Sequence, residues 1–491
     1  MDDCLFFSIA VDTALFRNED LLSCIARFSF DDKALEIPLF IVPCTVSSGK
    51  EMAVFLFQKL KERNVMFDKL VSVSTDGASN MVGKFNGMTK HFKELVEQHC
   101  RENNLVSPTI HTVWCFAHRI NLLTKTFLKM KPVNVVLAFS DWFSNRRRQV
   151  AYKRFLAVEK KDDQLRAIPQ PSMTRWLFYR DVVRAIISQA KCIEDFVSGD
   201  PEFLTFWNCL RSEQEKYGPC VQQDFSFSNG TIKATFDFTL FVLEMLGRVN
   251  TVFQESLCTT SQTWDIAVSL KRKIGQLLFQ MSGNISCGLD SVDRLSRDEA
   301  KDFQTVLRLL LQNVEMRFPI PSTSLDMKCK QNSNTRQQHQ GGDHYQRPFC
   351  SVQTVLEFIS FPHNIIHSNE LPTTLHHDMR REVLKISEEI MINQNRIKKV
   401  NQTRRKISTE ALGFEIEMST SLEDVFSVVD SKDYPLLWRE YIKANTIIPT
   451  TVCCERSFSV IKQSTHTNMK TNTFIANATK KLHEKTIPKW F

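Results

Sequence analysis

Two aspartates stand where the sequence predicts that strands come to an end. The apolar run at 5–11 (LFFSIAV) ends at Asp12, and the run at 70–74 (LVSVS) leads into Asp76. If the two strands are neighbours in one sheet, both carboxylates lie at the same edge. Carboxylates held together repel each other, and their usual partner is a divalent cation; a pair of Mg²⁺ ions can assist displacement at a phosphodiester. The alternative is that Asp ends each strand simply as a turn residue.

A third acidic residue, Glu455, follows a predicted chain break at Pro449. The segment 455–462 (ERSFSVIK) is typical of a helix, which places Glu455 in the first turn or two. A carboxylate at that position can complete a metal site on a sheet. It is also favoured by the helix dipole without any further role. The spacing alone leaves both interpretations open.

The elements that must position these residues fall into three regions. Residues 1–120 predict a mixed α/β unit with the order β-β-β-α-β-α-β, and the short links between its first three strands predict an antiparallel meander. Its other predicted elements are strands at 21–28, 35–42 and 110–116 and helices at 48–63, capped by Ser47 or Ser48, and at 84–103. Residues 121–430 predict a helical domain with a mobile polar loop at 328–347, and 431–491 predict a compact end.

Composition and charge restrict the partners only loosely. The formal net charge of +8 permits a nucleic-acid partner without requiring one. No apolar run approaches the ~18 residues that a membrane span requires, so no membrane partner is expected. The 14 cysteines include no Cys-x-x-Cys pair and are predicted to be reduced thiols, in cytosol or nucleus. The adjacent Cys453 and Cys454 are predicted not to face one core together.

Short motifs along the chain carry a family resemblance. The segments 434–438 (YPLLW) and 454–459 (CERSFS) resemble the C-terminal signature of hAT-superfamily DNA transposases. The motifs that agree with it, in family order, are FSIAVD at 7–12, STDGASNM at 74–81, CFAH at 115–118 and TRW at 174–176. The resemblance spans about residues 4–485.

This resemblance implies both a fold and an activity. The fold would be α/β, an RNase H-like mixed sheet interrupted by a long, mostly α-helical insertion, with a C-terminal hAT dimerisation segment. Asp12, Asp76 and Glu455 would be the catalytic triad that binds Mg²⁺ or Mn²⁺. The activity would be metal-dependent DNA cleavage and strand transfer at transposon ends, as cut-and-paste transposition requires, in the nucleus.

The resemblance also suggests roles for other motif residues. Trp176 would correspond to a Trp that stacks on an extruded base, a contact that contributes about 1–3 kcal/mol, although a core Trp is an equally open interpretation. Cys115 and His118 are only two candidate zinc ligands with no second pair nearby, so a structural role is favoured.

Two basic runs lie in the predicted helical domain. Arg146, Arg147 and Arg148 belong to the run at 145–154, and a second run covers 396–406. Such runs either contact DNA phosphates or form a solvated helix face, and the three arginines are the predicted DNA-binding candidates.

The chain also departs from the family pattern. Members usually carry an N-terminal BED zinc finger, which is not found before the first predicted strand. The alternative function is therefore a domesticated, noncatalytic nuclear protein that uses the fold for dimerisation and for binding DNA or protein. A homodimer or larger oligomer is expected in either case, and the apolar residues that could supply its contact surface are Leu437, Trp438, Phe458 and Ile461.

Overall fold

A computed structural model gives the architecture. It describes residues 5–30, 33–83, 85–158, 168–169, 176–228, 230–254, 259–283, 285–318, 377–415 and 422–463. The strands are β1 Phe7–Phe16, β2 Glu19–Phe30, β3 Lys33–Pro43, β4 Leu70–Thr75 and β5 His111–Trp114. The polar loop predicted at 328–347 lies outside the described residues.

Helices account for most of the remaining elements. Those associated with the sheet are α1 Gly49–Lys61, α2 Ser79–Val82, α3 Met88–Glu102 and α4 Phe116–Leu128. Those that follow are α5 Asn134–Phe143, α6 Arg146–Val158, α7 Tyr179–Ser188, α8 Ala190–Val197, α9 Pro201–Ser212, α10 Gln214–Tyr217, α11 Gly230–Phe253, α12 Thr260–Ser282, α13 Asp290–Asp293 and α14 Arg297–Arg317. The last group is α15 His377–Ile392, α16 Gln394–Leu412, α17 Leu422–Phe426, α18 Pro435–Thr446 and α19 Val452–Gln463.

The five strands form one mixed sheet in the order β3-β2-β1-β4-β5. Strand β1 pairs antiparallel with β2, and β2 pairs antiparallel with β3, so the predicted meander is confirmed. Strand β4 runs parallel to both β1 and β5, which confirms that the strands before Asp12 and Asp76 are neighbours. Because Ala10 lies opposite Ser74, the chain reaches both aspartates two residues further on, at the same edge.

Strand β1 is longer than its apolar run. A tight turn at Arg17 and Asn18, both at positive φ, lets β1 pair with β2 as far as Phe16. Asp12 therefore lies within a strand and does not end it, contrary to the prediction. The residues of β1 are fully buried from Phe7 to Val11, and Asp12 is the first residue of the strand that is only partly buried.

Helices cover both faces of the sheet because the central strands are apolar on both sides. On one face α1 and α3 pack with the sheet into a continuous core that includes Leu56, Phe92 and Val73. Helix α1 begins at Ser48, whose hydroxyl accepts from the backbone N–H of Glu51 at 3.3 Å, as the sequence predicted. The other face is covered by α19.

A large helical core begins at α4 and surrounds the 24-residue helix α11. Phenylalanine fills much of it: Phe139 stacks on Phe225 at 4.9 Å between ring centroids and meets Phe236 edge-on at 5.6 Å. Such aromatic pairs add about 0.5–1.5 kcal/mol each beyond the area they bury. No helix among the residues described here has both the length and the apolarity that crossing a membrane requires.

Helices α15 to α18 share a smaller core of their own. It joins Ile386 and Ile397 to Val425 and Leu437, so the predicted domain boundary at 430 falls within it. Leu437 is buried there, and Phe458 is buried against the sheet. Neither side chain is available for a contact with a second copy, whereas Trp438 is partly exposed beside Phe426. The side chain of Ile461 lies outside the described set.

Candidate active site

The connector at 447–451, between α18 and α19, is tied to the carboxyl edge of the sheet. The Ser74 hydroxyl donates to the carbonyl of Ile448. The backbone N–H of Phe116 donates to the carbonyl of Pro449 at 3.0 Å, and that of Thr451 donates to the Cys115 sulfur at 3.2 Å. These contacts fix the path of the chain immediately before α19, and therefore the position of Glu455 in the first turn of that helix.

The first turn of α19 lies directly on the sheet. The Cys454 thiol donates to the carbonyl of Ala10 at 3.4 Å, and the hydroxyls of Ser457 and Ser23 are 3.1 Å apart. The prediction that Cys453 and Cys454 would not face one core was wrong, since both are buried in the cluster between α19 and the sheet. A helix presents adjacent residues about 100° apart, and here the sheet and the connector enclose both sides of its first turn.

The structure brings Asp12, Asp76 and Glu455 together electrostatically. Burial raises the pKa of Asp12 to about 8, with further increases from the negative charges of Asp76 and Glu455. The backbone N–H of Thr13 donates to the Asp12 carboxylate at 2.9 Å and offsets part of this rise. Three carboxylates from distant parts of the sequence thus lie close enough for two of them to raise the pKa of the third, and a bound cation would relieve their repulsion.

The turn that carries Asp76 admits very little variation. Gly77 has a φ of +85°, and a Cβ added there would lie 1.8 Å from Nε1 of Trp114. That same Nε1–H donates to the carbonyl of Asp76 at 2.7 Å, while the backbone N–H of Ala78 donates to the Asp76 carboxylate at 3.0 Å. The carboxylate is therefore held by its own turn, which packs against β5.

The donor set has the chemistry that Mg²⁺ and Mn²⁺ prefer, because all three side chains offer carboxylate oxygens. Within the described ranges, however, no three His, Cys, Asp or Glu side chains are grouped tightly enough to hold a metal ion as they stand. The residues fit such an ion in type and in charge. Their side chains would need to draw closer together to ligate it.

A cavity of about 260 Å³ opens beside Glu455. Sequence reasoning had not identified most of its polar lining. Besides Glu455, the polar side chains around it are His118, Asn121, Arg180, Asp181, Asn250, Thr251 and Gln254. They come from α4, from α7 and from α11 with the residue that follows it, so the helical region forms a cleft next to Glu455 of α19. Their scattered positions left no motif by which the sequence could have revealed them.

Cys115 and His118 occupy the junction between sheet and cleft. Burial raises the pKa of the Cys115 thiol to about 11, so this residue acts as a neutral anchor for Thr451. Burial lowers the pKa of His118, although Asp76 and Glu455 partly oppose that shift. The His118 ring is therefore neutral near pH 7 and can hydrogen-bond to a ligand in the cleft.

The other predicted contacts with DNA lie at different places. Trp176 begins a short 3₁₀ turn ahead of α7, but its side chain is outside the described set. Its neighbours Leu177 and Phe178 line the cavity. Arg146 and Arg147 are exposed on α6, whereas the guanidinium of Arg148 stacks on Trp142 at 4.2 Å and donates to its carbonyl.

A scan of the chain against models of protein families finds no match, and a search of curated proteins finds none either.

Proposed function

We propose that this protein is a hAT-type transposase that cleaves and joins DNA strands with the help of Mg²⁺ or Mn²⁺. The observation that carries the proposal is the meeting of Asp12, Asp76 and Glu455 at one sheet edge, beside a polar cleft. In support, the sheet has three antiparallel strands followed by two parallel ones, an order compatible with an RNase H-like core. The protein would act in the nucleus as a homodimer or larger oligomer.

The proposed mechanism divides the work among the chain's own residues. Asp12, Asp76 and Glu455 would hold the cation. Asp12 would release its proton on binding, because the positive charge of the cation would outweigh the burial and the repulsion that favour the protonated form. The bound ion would supply Lewis-acid stabilisation of the phosphoryl oxygens and a more reactive hydroxyl. The Gly77 turn keeps the Asp76 carboxylate aimed at this edge, and the anchored connector does the same for Glu455.

Asp76→Asn is the variant that tests the proposal. It removes one negative charge with little change in shape, and loss of several kcal/mol of transition-state stabilisation lowers the rate about a thousandfold or more. Cleavage and joining of labelled duplexes, including preformed transposon ends, would be measured in Mg²⁺ and in Mn²⁺. The control is Asp224→Asn, since Asp224 is fully exposed and pairs only with Arg211 at the surface.

Binding separates the two candidate functions. DNA affinity depends mainly on Lys and Arg contacts with phosphates, so Asp76→Asn is expected to bind DNA about as well as the wild type. Equal nicking by both proteins on every substrate, or no nicking by either while both still bind, contradicts the enzymatic proposal. The protein would then be the noncatalytic, DNA-binding nuclear protein.

A further inference from the structure

The cleft beside Glu455 contains one cation that the carboxylate edge lacks. Among the described residues that line it, Arg180 is the only lysine or arginine. Arg180 lies in the first turn of α7, and its side chain is 31% exposed. It is therefore accessible from the cleft while being held within the helical region.

The position of Arg180 depends on a glycine in the facing helix. Gly247 is buried in the C-terminal third of α11, and a Cβ added there would lie 2.8 Å from the NH1 atom of Arg180. Glycine in a helix interior destabilises the helix by roughly 0.5–1 kcal/mol relative to alanine. Its presence is therefore unfavourable unless a neighbouring group needs the space that a side chain would fill. Here the missing side chain leaves a cradle across which the guanidinium lies.

One hydrogen bond holds the guanidinium in that cradle: its Nε–H donates to the Asp181 carboxylate at 3.0 Å. Asp181 is itself held in place, because it also accepts from Arg184 at 3.2 Å. The contact with Asp181 uses Nε, whereas NH1 is the atom nearest to the cradle. An arginine fixed at one side of its fork is well placed to present the remaining N–H donors to a phosphate.

We infer that Arg180, seated on Gly247, binds a backbone phosphate of the DNA strand that enters the cleft at Glu455. The reason is electrostatic: a phosphodiester brought close to the three carboxylates is repelled by them, and a cation that lines the same cleft as Glu455 offsets that repulsion. The cavity, at about 260 Å³, has room for one such group. This inference rests on the proposed function but concerns binding, which can be measured without any cleavage.

Two independent substitutions remove the same contact. Arg180→Gln deletes the charge, while Gly247→Ala keeps the charge and displaces the guanidinium. The matched control is Gly275→Ala in the middle of α12, where an added Cβ would have no atom within 4 Å. Arg180→Lys keeps a point charge in place of the fork and serves as the conservative variant.

The measurement is the affinity for a short fluorescein-labelled DNA duplex, by anisotropy, over a range of salt concentrations without divalent cation. Loss of one phosphate contact reduces the slope of log affinity against log salt by about 0.9, and loss of a charged hydrogen bond weakens binding about 10- to 100-fold. Arg180→Gln is expected to show both changes, whereas Gly247→Ala is expected to bind more weakly but to keep most of the slope, because the charge remains. The double variant should bind no more weakly than Arg180→Gln alone. Arg180→Lys should retain most of the slope, and Gly275→Ala all of it.

DNA binding tests the Arg180 contact, and DNA cutting tests the proposed cleavage, so the two can fail separately. An Arg180→Gln protein with the wild-type slope overturns the inference, and so does a Gly247→Ala protein that matches Gly275→Ala. A wild type that cuts no DNA but shows these binding differences refutes the cleavage proposal and leaves the contact standing. The thermal unfolding midpoint of Gly247→Ala is the folding control. A midpoint equal to or above that of the wild type shows that the substitution has not destabilised α11.

Discussion

Replacing Asp12 by Asn is expected to stabilise the metal-free protein increasingly as pH rises. In the folded protein the pKa of Asp12 is about 8, against 3.8 for an unperturbed Asp. The folded state therefore holds this proton more tightly than the unfolded state does. The stabilising contribution is fully present below about pH 4 and is lost as pH rises through about 8. Asn has no such proton and lacks this dependence.

The size of the effect follows from the shift. At about 1.4 kcal/mol per pKa unit, a rise from 3.8 to about 8 corresponds to at most about 6 kcal/mol between the two pH limits. Relaxation of Asp76 and Glu455 away from the charged carboxylate reduces this figure, so a difference of roughly 2–4 kcal/mol is expected. That is a large fraction of the ~5–15 kcal/mol by which most folded proteins are stable.

The assay is urea unfolding, followed by tryptophan fluorescence, of both proteins at about pH 5 and about pH 9 in the presence of EDTA. The quantity of interest is the difference in unfolding free energy between Asp12→Asn and wild type, because other titrating groups affect both proteins alike. Asp224→Asn, at the exposed surface, should show no change in this difference. Parallel pH dependences for Asp12→Asn and wild type would refute the reasoning, since Asp12 would then feel neither burial nor its acidic neighbours.

Three other predictions concern the turn, the cation and the assembly. Gly77→Ala should destabilise the protein by about 2 kcal/mol or more, because φ is +85° and the new Cβ would clash with Trp114. The control is Gly283→Ala, which has a negative φ and no clash, and its thermal midpoint should be almost that of the wild type. Mn²⁺ at about 100 times its dissociation constant should stabilise the wild type by about 2.7 kcal/mol, and Asp76→Asn much less; equal stabilisation of both would contradict a site at Asp76. Sedimentation should show a dimer or larger species at roughly tens of micromolar protein, and a monomer there would count against self-association.

The strands and their order illustrate what local pattern can predict. Each apolar run gave a strand at nearly the expected place, and the short links gave the antiparallel meander, because strand pairing across a short link is a local event. The end of β1 was missed because pairing with β2 carries it past its apolar run to Phe16. The Ser48 cap was predictable since the hydroxyl and the N–H it accepts from lie three residues apart.

Adjacent cysteines show where local reasoning failed. Helical geometry alone separates Cys453 from Cys454, but it gives no information about how many surfaces will surround the helix. The connector and the sheet enclose its first turn from two sides, so both thiols are buried. Arg148 is similar: its place in a basic run indicated nothing about Trp142, on which it stacks.

The sequence by itself determined the residue types of the candidate site and the strands that lead to them: Asp12 follows one apolar run, and Asp76 lies just beyond another. Only the tertiary structure decided that Glu455 approaches both and that α4, α7 and α11 form a polar cleft beside it. The physical reason is the range of the forces. Hydrophobic period and turn preference act over a few neighbouring residues, whereas the seating of Arg180 on Gly247 arises from the packing of two helices far apart in the chain.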